Sequence, residues 1–205
     1  MLGVILVVAV LCYMILSGQL SAGQLIEDLL GGGGSRVPAT AQSIPSTEAA
    51  QRQLSELMVR PAGSMAGYSR DECFHWSDAQ EFGWRLPSGT PDPESCDARD
   101  AALIRDGRGE RVEEFCDIVS GRWFDPYGGQ TYTASSDIDI DHIVPLANAW
   151  RSGAFSWDTA KRESFANMPR NLLSVDDSLN QSKSDKGPEA WKPPREAHWC
   201  TYSKR

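Results

Sequence analysis

The stretch Asp137–Pro145, reading Asp-Ile-Asp-Ile-Asp-His-Ile-Val-Pro, constrains the fold of this chain more than any other. Its alternation of acidic and apolar residues has the two-residue period of a β-strand. In that conformation Ile138 and Ile140 turn toward a packed interior, with Ile143 in it or near it, and Asp137, Asp139 and Asp141 share the other face. Three carboxylates on one face repel one another unless a cation, a basic partner or water screens them. The strand delivers His142, one of only three histidines in the chain. An acidic strand ending in a histidine suits a metal-assisted hydrolase. The same pattern also describes an edge strand with a solvated acidic face.

The residues downstream favour the first reading. Residues 157–167 read as a helix, and Asn171–Val175 is a short apolar run with strand character. Asp176 and Asp177 are good helix N-caps, and a helix runs on from Ser178 through Lys183. Asn180 and Lys183 stand three residues apart and so share one face of it. Asp141-His142-Ile-Val-Pro145, then Asn171-Leu172, then Asn180-Gln-Ser-Lys183 resemble, in order and spacing, the ββα-metal or His-Me finger motif of HNH endonucleases. Gly121–Gly128 (Gly-Arg-Trp-Phe-Asp-Pro-Tyr-Gly), Pro145–Trp150 and Asp185–Trp191 narrow the likeness. They resemble the secreted HNH nuclease-like proteins of actinobacteria, related to the GmrSD C-terminal nuclease domain, over about residues 67–203.

That resemblance implies an α+β fold, a ββα-metal core with additional helices and a hairpin, stabilised by disulfides. It implies an endonuclease hydrolysing phosphodiester bonds of DNA, with RNA as a second substrate, using one divalent cation, Mg²⁺ or Mn²⁺. His142 would be the general base, Asp141 and Asn180 the metal ligands, and Asn171 the brace of the loop carrying the histidine. Lys183 would contact a phosphate, and Asp139 would either orient the ligands or stay solvated. The residue types suit the chemistry. Phosphodiester hydrolysis needs a positioned water, a base, and positive charge where the leaving oxygen develops. A neutral imidazole titrates near the working pH, and a carboxylate, an amide oxygen, a phosphate and waters make a Mg²⁺ site. His75 and His198 have no motif around them and read as surface or packing residues.

Organisation and composition bound the rest. Residues 2–16 are almost uninterruptedly apolar, short for a full span and right for a signal-peptide core. No Lys or Arg precedes them, so residues 1–22 read as a signal peptide or an uncleaved membrane anchor. Either sends the downstream chain across the membrane, secreted or tethered. Residues 23–66 read as a flexible Gly/Ser/Pro-rich linker with a short helix over Glu48–Met58, and residues 67–205 as the nuclease domain. Cys73, Cys96, Cys116 and Cys200 form an even set with three pairings; Cys96 with Cys116 closes a short loop, leaving Cys73 with Cys200.

The net charge of −8 is unusual for a nucleic-acid binder, but it is unevenly spread. Residues 36–141 carry 10 basic and 19 acidic side chains, whereas residues 142–205 carry 10 basic and 7 acidic. A phosphate-binding face on an acidic body is the expectation, with Arg151 and Lys186 as substrate-binding candidates and no element for base readout. The competing expectation is a non-catalytic cell-envelope binding protein that keeps the HNH scaffold.

Overall fold

A computed structural model describes residues 44–205 except Arg60. The apolar segment expected as leader or anchor over 1–22, and the linker over 23–43, lie outside the described residues. Helix α1, Thr47–Glu56, is capped by Ser46, whose Oγ accepts from the Ala49 N–H at 3.2 Å, and buries none of its residues. Packing reaches back into the expected linker. Gly63 N–H donates to Arg151 O at 2.7 Å, and a Cβ at Gly63 would lie 2.9 Å from that same oxygen.

Helix α2, Ala98–Asp106, starts at a capping box in which Asp97 and Asp100 each accept from the other's backbone N–H. Burial, then the neighbouring Asp97 charge, push the Asp100 carboxyl up to about 6. Ala98, Ala101, Ala102, Leu103 and Ile104 are buried on this helix, and small side chains let it lie close to the strands. Strands β1 (Arg111–Val112), β2 (Ile118–Phe124) and β3 (Thr131–Ala134) form one antiparallel sheet, in the order β1-β2-β3. Strands β4 (Ile138–His142) and β5 (Leu172–Asp176) form a separate antiparallel ribbon. Between them run helices α3 (Leu146–Arg151) and α4 (Thr159–Asn167), and β5 runs directly into α5, Asp177–Lys183. Asp176 caps α5 by accepting from Leu179 N–H at 2.8 Å, and α6, Trp199–Ser203, lies near the C-terminus.

The ribbon register puts Asp139 opposite Val175, Ile140 opposite Ser174, Asp141 opposite Leu173 and His142 opposite Leu172. Ile138, Ile140 and Leu172 pack with α2 and Trp123 in the main core. On the other face, Leu173 and Val175 join Tyr127, Ile143 and Tyr202 in a second cluster. Both faces of β4 are therefore covered. On the acidic face Asp141 is buried, Asp139 is half-buried beside the cleft described below, and Asp137 is exposed. The outer edge of β5 is also satisfied: Arg105 donates to Leu172 O at 2.8 Å, and Asp106 accepts from Ser174 N–H at 3.0 Å.

Cys96 and Cys116 form a disulfide across a sequence separation of 20 residues. Closing a loop of that length restricts the unfolded chain, so Cys96→Ser should lower the unfolding free energy by about 2–5 kcal/mol. A denaturant titration of the variant beside the oxidised wild type reads this. The pairing expected between Cys73 and Cys200 is not made. Cys73 is buried with Leu146 and Ala166, whereas Cys200 is exposed on α6, whose Tyr202 belongs to the other cluster. The two thiols are committed to different packing units.

Candidate active site

Asp139, Asp141, His142 and Asn180 border one cleft of about 640 Å³, together with Arg70 and Asp185. The strand–helix connection sets this arrangement. Asp139 and Asp141 stand two apart on β4, Asn180 and Lys183 three apart on α5, so both pairs repeat on facing surfaces. Two rungs result. Asn180 Nδ2 donates to Asp139 Oδ2 at 2.6 Å, and Lys183 Nζ donates to Asp141 Oδ1 at 2.7 Å.

The second rung is deep. Lys183 is 0% exposed and Asp141 3% exposed, so neither ion has water to fall back on. Lys183 Nζ also donates to His142 O at 2.9 Å, and the Tyr127 hydroxyl donates to Asp141 Oδ2 at 2.5 Å. Burial pushes the Asp141 carboxyl up, opposed by the Lys183 ammonium and the Tyr127 hydroxyl. Burial, then the Asp141 carboxylate, hold the Tyr127 hydroxyl well above its ordinary range. Tyr127 is placed by a turn around the fully buried Asp125, whose carboxylate accepts from Tyr127 N–H at 2.9 Å and Gly128 N–H at 2.6 Å. A side chain at 128 would meet that carboxylate at 2.8 Å, which is why glycine comes after the tyrosine.

His142 projects to the core face of β4, opposite Asp141. Its Nε2 lies 2.8 Å from Ala166 O. A carbonyl can only accept, so this nitrogen carries the proton and Nδ1 keeps the lone pair. Burial depresses its pKa to about 3, leaving the ring neutral at physiological pH. Trp76 and His75 flank it, with ring centroids 5.8 and 6.3 Å away. Asn171 clasps the chain just beyond the histidine: its Oδ1 accepts from Val144 N–H at 2.8 Å and its Nδ2 donates to Val144 O at 3.2 Å.

Among the described residues, no group of three or more His, Cys, Asp and Glu side chains gathers closely enough to hold a metal ion. Two carboxylates and an amide remain beside the cleft, Asp139, Asp141 and Asn180, and their oxygens are the donor type that a hard divalent cation takes. Lys183 differs from its expected position. Its ammonium is buried on Asp141 and does not border the cleft. Arg151 is paired with Asp185 at 3.0 Å, and Lys186 Nζ caps Ser182 O at 2.7 Å; neither borders the cleft. Arg70, by contrast, does border it, donating to His75 Nε2 at 3.2 Å. Nothing local marks Arg70 or His75 in the sequence. Tyr127 sits inside the Asp-Pro-Tyr-Gly turn, whose conformation was the available signal.

Residues 97–204 match the family described as GmrSD restriction endonucleases, C-terminal domain. The chain is also 50% identical over 167 residues to an uncharacterized secreted protein of the fungus Arthroderma benhamiae, covering 80% of this chain and 76% of that protein. That relative is fungal and lends no support to an actinobacterial attribution. No solved structure matches the chain significantly. The chain belongs to the family of GmrSD restriction endonuclease C-terminal domains.

Proposed function

We propose that this protein is a secreted, metal-dependent endonuclease that hydrolyses phosphodiester bonds of DNA, and secondarily of RNA, through a ββα-metal site with little sequence specificity. One observation carries the reading. A neutral histidine, oriented by Ala166 O, and the carboxylates of Asp139 and Asp141 sit on opposite faces of β4, and with Asn180 of the facing helix they border the same cleft. Secretion is supported by the disulfide and by the name of the fungal relative.

Asp141 and Asn180, with Asp139 beside them, would hold the Mg²⁺ or Mn²⁺. A divalent ion bound there supplies Lewis acidity at the phosphate oxygen and positive charge for the leaving oxygen. His142 Nδ1 accepts the proton of the attacking water, while Nε2–H stays on Ala166 O and fixes the ring. Asn171, by holding both backbone groups of Val144, keeps the histidine loop from shifting. Arg70 borders the cleft as the cation best placed to meet an incoming phosphate, a role the sequence alone suggests for Arg151 and Lys186.

The purified protein incubated with supercoiled plasmid and Mg²⁺ should produce nicked and linear forms. No conversion with either Mg²⁺ or Mn²⁺ would sink the proposal and leave the non-catalytic binder. Asn180→Ala removes one oxygen donor while leaving His142 in place. It should raise the Mg²⁺ concentration for half-maximal cleavage roughly tenfold. A rate titration giving an unchanged half-saturation point contradicts that assignment.

A further inference from the structure

Among the described residues, Arg70 is the only lysine or arginine that borders the cleft. It stands ahead of residues 97–204, the span of the family match. Asp139, Asp141 and Asp185 border the same cleft, yet among the described residues Arg70 forms no ion pair. Asp141 is paired with Lys183, and Asp185 with Arg151. The guanidinium is held instead by an imidazole, its Nε donating to His75 Nε2 at 3.2 Å.

The other ring nitrogen fixes the tautomer. His75 Nδ1 lies 3.1 Å from Cys73 O, which can only accept, so Nδ1 carries the proton and Nε2 the lone pair. Burial first, then the Arg70 charge, hold the His75 pKa below its ordinary value against the opposing bond to Cys73 O. A carboxylate in this place would orient the arginine and cancel its charge. A neutral imidazole orients it and leaves the charge for a ligand. With Nε engaged, the Nη1 and Nη2 edge remains, the edge that can form two parallel bonds to phosphate oxygens.

The ring is held in turn by a buried amide. Asn167, at the end of α4 and 0% exposed, accepts from Ser77 N–H at 3.0 Å and donates to Phe74 O at 2.9 Å, bracketing His75 and Trp76. Ser77 Oγ adds a bond to Glu163 Oε1 at 2.7 Å. Between those anchors Trp76 takes φ +64°, a left-handed conformation that a bulky residue keeps only where its surroundings fix it. The adjoining carbonyl, Ala166 O, is the one that receives His142 Nε2–H. The end of α4 therefore holds both the histidine of β4 and the segment carrying His75.

We propose that His75 is a positioning residue for substrate, holding Arg70 by Nε so that its Nη edge grips a phosphate of a nucleic-acid strand entering the cleft. The inference rests on reading the cleft as a phosphodiester site. Arg70 touches the strand; His75 acts through Arg70.

The test measures binding by the full chain carrying His142→Ala, in which Asn167 still anchors residues 74–77. A labelled DNA duplex is titrated by fluorescence anisotropy at several salt concentrations. Arg70→Ala should weaken binding about tenfold and flatten the salt slope by about one unit, the signature of one lost phosphate contact. His75→Ala should weaken it about fivefold, with an unfolding midpoint within a few degrees of the parent. That loss should vanish when Arg70→Ala is already present. His75→Gln, whose amide oxygen can stand near the place of Nε2, should recover binding to within about twofold of the parent. If His75→Ala lowers the midpoint further, Arg70→Lys takes its place: lysine keeps the charge but has no Nε–H for His75 and no fork for phosphate, so binding should fall at least about threefold. Unchanged binding in His75→Ala or Arg70→Lys overturns the proposal, as does a His75→Ala loss that persists in full without Arg70, or a parent that binds no DNA. Binding with the expected pattern, beside a wild type that never cleaves plasmid, sinks the nuclease reading and leaves the Arg70–His75 clamp standing.

Discussion

Replacing Lys183 by methionine should lower the unfolding free energy by about 3–5 kcal/mol, the range found when one partner of a buried ion pair is removed. Methionine keeps the length and apolar stem of lysine, so cavity formation contributes little. The loss comes from Asp141, 3% exposed and left with the Tyr127 hydroxyl as a hydrogen-bond donor but with no countercharge. Burial already pushes this carboxyl up with the ammonium present, and without it the shift grows. A carboxyl whose folded pKa lies above its unfolded value contributes stability below the ordinary carboxylate range and loses it as pH rises through the folded value. Lys183→Met should thus be less stable at pH 8 than at pH 5, relative to wild type. Adding Asp141→Asn to Lys183→Met removes the unpaired charge and should recover much of the loss. Urea titrations of the three proteins at both pH values check this. A single-variant loss under about 1 kcal/mol would mean that the pair is not buried as described.

His142→Ala should reduce the rate of plasmid cleavage about 10²–10⁴-fold, the usual contribution of a positioned general base. The variant should stay folded, because Ile138, Ile140 and Leu172 still carry that face of the ribbon. The pH profile separates a base from a merely packed histidine. Burial holds the His142 pKa at about 3, so the ring is neutral, with Nδ1 free to accept a proton, throughout the neutral range. In wild type kcat/KM should therefore show no acid limb near pH 6.5; the fall should come only toward pH 3. Stability depends on the same group. A histidine with a depressed folded pKa contributes stability that is fully present above its unfolded value, near 6.5, and lost as pH falls toward about 3. His198, held at about 4, adds to that slope. His142→Ala should show a shallower acid loss than wild type in thermal melts between pH 7 and 4.

Much of the ribbon was legible because its signals are local. The Asp/Ile alternation sets β4 at Ile138–His142, and the aspartates after the Leu-Leu-Ser-Val run cap α5 at Asp176. The three-residue spacing of Asn180 and Lys183 puts them on one helical face, which is the face that meets Asp139 and Asp141. Periodicity assigns a face but not its cover. Nothing between residues 137 and 183 tells that Tyr127 closes over Asp141, so that Lys183 is sealed in and not offered to a phosphate. Arg70 reaches the cleft, and His75 the flank of the His142 ring, from more than sixty residues upstream, through packing that no short pattern encodes. The failed Cys73–Cys200 pairing has the same origin. Counting cysteines gives parity, whereas bonding depends on two distant elements sharing one packing unit, and these do not.

The central claim is hydrolysis of phosphodiesters that depends on a divalent cation, and one plasmid digestion with reversible chelation tests it most directly. Supercoiled DNA is incubated with the wild-type protein in Mg²⁺, then with excess chelator, then with Mg²⁺ restored. The predicted result is cleavage that stops with the chelator and resumes with the metal. Cleavage that continues undiminished under chelation contradicts the account, as does intact plasmid in every lane.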